Sequence, residues 1–149
     1  MDDIPDNLKN AIIATEDKNF YSHNGYDVTG LIRSTLANIL AGHVVQGAST
    51  ITQQLARNIL NDNRQTLSRK LKEAVRAIQI ENQYSKDEIL DLYFNNVYFG
   101  KNLRGIRAAG LYYFGKEVVE LNQSEILYLL AILRGPNYYA TRPAAVKRR

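Results

Sequence analysis

Leu67-Ser68-Arg69-Lys70-Leu71-Lys72-Glu73-Ala74-Val75-Arg76-Ala77-Ile78-Gln79-Ile80-Glu81-Asn82-Gln83 is the stretch that decides the fold class. Leu67, Leu71, Ala74, Val75 and Ile78 recur with the period of about 3.6 residues that puts side chains on one face of an α-helix. The pattern predicts a helix buried along that stripe. Arg69, Glu73 and Arg76 fall on the opposite side, with Lys70 about 60° round from Glu73. On a solvated face an Arg69–Glu73 pair at i,i+4 contributes only a few tenths of a kcal/mol. Ile80 shares that supposedly wet face, which points to part of it lining a cleft. A carboxylate among several basic groups leaves those neighbours placed to hold a phosphate.

Working outward, the pattern stays helical. Ser85-Lys86-Asp87-Glu88 is a capping box that starts a helix running to about Asn95, and Asn122 with Glu125 repeats the device before Ile126 to Leu133. That helix ends at Gly135-Pro136. Toward the N-terminus, Asp6 to Thr15 has Leu8, Ile12 and Ile13 on one face and leads to a turn at Asn24-Gly25. Leu31 to Ala41 is a further helix, closed by Gly42. Val44-Val45 and Val97-Tyr98-Phe99 are the only short β-like pieces. The expected class is mainly α.

The 149 residues suit one domain. Nineteen basic against fifteen acidic residues give +4, with an isoelectric point near 9.3. That balance suits an anionic partner without choosing among nucleic acid, membrane surface and phosphorylated substrate. The absence of cysteine excludes disulfides and thiolate metal sites. No apolar run approaches the roughly 20 residues of a membrane-spanning helix, and the acidic start, Met1-Asp2-Asp3, is unlike a signal peptide. A targeting segment removed upstream, or a cytosolic protein, fits equally.

Taken singly, the chemistry-bearing residues are ambiguous. Glu16-Asp17 ends an apolar helix, where a carboxylate can be half buried as proton transfer requires; a surface or capping acid is the alternative. His23 suits a catalytic or metal-binding role, or a hydrogen-bonded structural one. Ser49-Thr50-Ile51-Thr52-Gln53-Gln54 can present hydroxyls and amides to a sugar, or form a helix start capped by Ser49.

Read in order, these segments resemble the motifs of the peptidoglycan glycosyltransferase family. Glu16-Asp17-Lys18-Asn19-Phe20-Tyr21-Ser22-His23-Asn24-Gly25 matches the pattern EDxxFxxHxG. Gly47 through Asn58 matches GxSTITQQLxKN, with Arg57 in the lysine position. Arg69-Lys70-Leu71-Lys72-Glu73 matches RKxxE. Lys86 through Asn95 supplies the fourth motif, with Ile89, Leu90, Tyr93 and Asn95 in place, and Pro136-Asn137-Tyr138-Tyr139 a looser fifth.

The resemblance covers about residues 4 to 143. It implies one catalytic domain over residues 1–149, trimmed from a longer membrane-anchored protein. The implied fold is a lysozyme-like helical head with a small membrane-facing jaw lobe at roughly 28–62. The implied substrates are lipid II and a lipid-linked glycan chain, with undecaprenyl pyrophosphate released by inverting transfer. The implied partners are a membrane surface and other cell-wall synthesis proteins, not nucleic acid, on the outer face of the bacterial cytoplasmic membrane.

By the same resemblance Glu16 is the general base. Glu73 is a second catalytic acid that positions the donor or holds a divalent cation, Mg2+ or Mn2+; no other cofactor is implied. Arg57, Arg69 and Lys70 stabilise the departing pyrophosphate. Ser49, Thr50, Gln53 and Gln54 line sugar and phosphate subsites, while Asp17 and His23 support the site. Gln65 stands where relatives often carry Arg, with Arg64 beside it. A binding module of the same fold and a lysozyme-like glycan-cleaving enzyme are the alternatives. The intact Glu16, Glu73 and second motif argue against the first, and the second does not explain the residues Ser49 through Leu55 or need a pyrophosphate cluster.

Overall fold

The computed structural model describes residues 4–43, 47–60, 66–139 and 141. Val44, Val45, Arg64, Gln65 and Pro143 lie outside the described residues. Eight α-helices are present among the described residues: α1 (Asp6–Glu16), α2 (Val28–Ala41), α3 (Ile51–Leu60), α4 (Leu67–Gln83), α5 (Lys86–Asn96), α6 (Ile106–Phe114), α7 (Gln123–Arg134) and α8 (Pro136–Tyr139). Among the described residues no strand accompanies them; Tyr98 and Arg104 form an isolated antiparallel bridge where the sequence suggests a β-like piece. The mainly α class is as expected.

The chain divides into two compact units, one of Met1–Ile12 with Asp91–Arg149 and one of Ile13–Leu90. In the first, α6 and α7 supply Ile106, Ala109, Ile126, Leu129 and Ile132 to a buried core. Asn122 and Glu125 form the expected capping box at the start of α7, and α6, which the pattern does not reveal, ends on Gly115 in the left-handed conformation. Tyr113 donates from its hydroxyl to the Phe99 carbonyl at 2.9 Å, and burial, with Tyr128 nearby, pushes that phenol up to about 12.

The second unit holds α2, α3 and α4 whole. Helix α2 begins three residues before the expected start because Asp27 caps it, accepting from the Gly30 amide at 2.8 Å and the Thr29 hydroxyl at 2.7 Å. It ends at Gly42, with φ of 69°. Its apolar side chains are exposed, Ile32, Ile39 and Leu40 most of all, with Val28 and Leu36 close behind, and Ser34 is its one buried residue. The stretch expected as a jaw lobe belongs to this unit.

The backbone bond from Gly30, then the Thr29 hydroxyl, hold the Asp27 carboxyl below its ordinary 3.8. A depressed value stabilises the fold above that pH, and the contribution disappears as pH falls through the lowered value. Asp27→Ala should therefore cost about 1 kcal/mol near neutrality. The difference in melting temperature from the parent should shrink once the pH drops below 3.8; a gap that persists in acid would refute the capping account.

Helix α4 has the predicted bounds and the opposite orientation. Leu67, Leu71, Val75 and Ile78 are exposed, whereas Glu73, Ala77 and Ile80 are buried. Periodicity identifies which residues share a face, but not which face turns inward. Here the inward face is the one that packs on α3. It can carry Glu73 because Arg69 and Lys70, four and three residues before it, supply compensating charge. Ala77 is small where the backbone of Gly25 comes close: a Cβ on Gly25 would be 3.4 Å from the Ala77 carbonyl. The position of Ile80 is the one hint of this in the sequence.

Candidate active site

Two adjacent carboxylates at the end of α1 lie in different surroundings. Glu16, the last residue of the helix, is half-buried and accepts from the Gln54 side-chain amide at 3.0 Å. Asp17 is buried. Its oxygens both lie 2.9 Å from His23 Nε2, and Oδ2 also accepts from the Ile51 amide at 3.0 Å. His23 Nδ1 accepts from the Gly25 amide at 3.1 Å. An imidazole that accepts at Nδ1 donates from Nε2, here to Asp17. Asp17 thus fastens the loop after α1 to the first amide of α3, and Glu16 stays partly exposed.

The start of α3 explains part of the polar run. Thr50 and Gln53 form a capping box: the Gln53 amide donates to Thr50 Oγ1 and the Thr50 amide to Gln53 Oε1, each at 3.2 Å. The cap is therefore Thr50, not Ser49. Thr50 Oγ1 also donates to the Gly25 carbonyl at 2.9 Å. Both side chains are buried, and these partners belong to the helix start and its neighbouring loop. Ser49 and Gln54 are half-buried. Arg57 lies one turn beyond Gln54 on the same side of α3, also half-buried.

A second acidic centre lies on α4. Glu73 is 1% exposed; Arg69 Nη1 donates to its Oε1, and Lys70 Nζ stands 3.3 Å from Oε2. Lys70 also donates to Ser49 Oγ at 2.7 Å. Arg69 Nε is buried and has no hydrogen-bond partner among the described residues. The donor set does not suit a divalent metal. Both Glu73 oxygens face cations, and among the described residues no three His, Asp or Glu side chains gather closely enough to hold an ion.

The sequence reading missed Glu81 and Lys86. Glu81 Oε1 accepts from the Thr52 hydroxyl at 2.5 Å and from Lys86 Nζ at 2.8 Å, and Lys86 lies 4.6 Å over the ring of buried Phe20. The available signal is spacing: Glu73, Ala77, Ile80 and Glu81 recur at helical intervals, so a buried Glu73 brings Glu81 to the same side.

The site residues fall in one unit and form two linked sets. Glu16, Asp17, His23 and Gln54 make the first; Ser49, Arg69, Lys70 and Glu73 make the second; Thr50 and Gln53 hold together the helix start between them in sequence. The chain matches the profile of the Transglycosylase family over residues 1–149. It is 45% identical over 93% of its length to penicillin-binding protein 1A of Aquifex aeolicus, of which it covers 19%. It is 47% identical over 94% to penicillin-binding protein 1F of Bacillus subtilis, covering 20% of it. Against penicillin-binding protein 1A of Escherichia coli the figures are 45%, 93% and 16%. The chain spans about a fifth of the length of these curated relatives.

Proposed function

Since this chain belongs to the Transglycosylase family, we propose that it is the catalytic domain of a peptidoglycan glycosyltransferase, polymerising lipid II into β-1,4-linked strands. The observation that carries the reading is Glu16: a half-buried carboxylate held by Gln54 and next in the chain to the buried Asp17–His23 pair. Glu16 takes the proton from the acceptor's 4-hydroxyl. The freed oxygen attacks the donor's anomeric carbon from the face opposite the leaving group, and the carbon–oxygen bond to the pyrophosphate breaks. The sugar carbon inverts, and lipid pyrophosphate departs with the electron pair.

The leaving group needs several fixed cations, because one solvated charge contributes little. Lys70 and Arg69 are held by Glu73 and Ser49, which keeps two cations side by side. Arg57 adds a third cation. Glu73 acts by positioning Arg69 and Lys70. Gln54 and Ser49 face the substrates, while Thr50 and Gln53 keep α3 in place. Gln65 and Arg64 lie outside the described residues and are assigned no part.

Incubation with labelled lipid II, analysed by gel, tests the proposal. Polymer supports it. Binding without polymer identifies a non-catalytic module, and cleavage of preformed glycan a hydrolase.

The exposed apolar side of α2 is the surface for the lipid-linked substrates' membrane, on the outer face of the cytoplasmic membrane. No described helix is long and apolar enough to cross a membrane. Replacing Leu36 and Leu40, 56% and 79% exposed, with Ser should weaken liposome binding severalfold while hardly changing the melting temperature. A large loss of stability with unchanged liposome binding would place these side chains in the core instead.

A further inference from the structure

We infer that Glu81 is a positioning residue for the general base, acting through Thr52 and the first turn of α3; this rests on the role proposed for Glu16. Three bonds fix that turn on three different segments. The Ile51 amide donates to Asp17 at 3.0 Å, the Thr50 hydroxyl to the Gly25 carbonyl at 2.9 Å, and the Thr52 hydroxyl to Glu81 at 2.5 Å. Gln54, the residue that holds Glu16, follows in the next turn. Glu81 is the anchor contributed by α4.

Several features make it a firm one. Its side chain is 6% exposed. The loop at Gly25 closes down on it, so that a Cβ there would lie 3.1 Å from Glu81 Cγ. Lys86 compensates its charge, and the position of Lys86 is set by the Phe20 ring. Phe20 in turn meets His23 edge to face, with ring centroids 6.3 Å apart. A buried carboxylate that receives a hydroxyl and an ammonium on one oxygen cannot shift without breaking one of them. The height and rotation of α3, and with them the Gln54 amide, are set against this group.

The consequence is geometric. Misplacing a reacting group by about 1 Å can lower turnover about a hundredfold, so freeing the α4 anchor should act on kcat. In the 149-residue chain, Thr52→Val removes the hydroxyl at nearly constant shape. Glu81→Met removes the acceptor from a position far from Gln54 in sequence. Both should lower kcat for lipid II polymerisation about tenfold to a hundredfold with KM near the parent value, and Thr52→Ser should restore it. Both should also displace the NMR signals of the Gln54 side-chain amide.

That second readout requires no turnover. If the parent chain makes no polymer, the catalytic reading fails while the Gln54 signals still decide the positioning role. Folded Thr52→Val and Glu81→Met variants with parental Gln54 signals overturn the inference. So does a fall in kcat matched by an equal fall in folded fraction, or a Thr52→Ser variant as slow as Thr52→Val.

Discussion

Glu16→Gln is expected to lower lipid II polymerisation by about two or more orders of magnitude, the scale for losing a general base, while leaving the fold and most substrate binding intact. The structure explains why the two effects separate. The bond that holds Glu16 is donated by Gln54 Nε2 to a carboxylate oxygen at 3.0 Å, and an amide carbonyl in the same place still accepts it. What disappears is the capacity to take up a proton. Asp17, next in sequence, cannot substitute, because its oxygens are occupied by His23 and the Ile51 amide and its side chain is buried. Single-turnover assays with labelled lipid II, alongside a binding titration, measure both quantities. Polymerisation at the parental rate would remove Glu16 from the role of base.

Asp17→Ala should have the largest effect on stability. It strips two donors of their acceptor, His23 Nε2–H and the Ile51 amide, in a place where the Asp17 and His23 side chains are only 2% and 7% exposed. Each buried donor left unsatisfied costs about 1–3 kcal/mol, so about 2–6 kcal/mol is expected in all. For a domain of this size that lowers the melting temperature by about 5–20 °C. Asp17→Asn should recover part of the loss, since its carbonyl oxygen still accepts one bond. Thermal unfolding by circular dichroism distinguishes the three proteins, and an Asp17→Ala variant as stable as the parent would show that water satisfies both donors.

Much of this was legible in residue order. The caps at Asn122–Glu125 and Ser85–Glu88, the C-terminal Gly42 and the bounds of α4 follow from local rules, because a helix end is satisfied by side chains within about four residues. The candidate acids and the basic cluster before Glu73 were legible for the same reason: each is a short-range pattern or a matched motif. Helix α6 was not, because its Ile106–Phe114 segment ends in Leu111-Tyr112-Tyr113-Phe114, a run with no helical alternation of polar and apolar residues.

The sequence by itself determined the class of elements, the family motifs and which residues share each helix face. Tertiary structure alone decided which face of α4 turns inward, and it chose the one carrying Glu73 over the one carrying Leu67, Leu71, Val75 and Ile78. It also drew the Thr50 hydroxyl to the Gly25 carbonyl, and Glu81 toward Thr52 and Lys86. The physical reason is that α4 carries the charges that compensate Glu73 itself, whereas the helix that covers that face, α3, comes from elsewhere in the chain. Thr52 and Glu81 are 29 residues apart, and no helical period records that they meet.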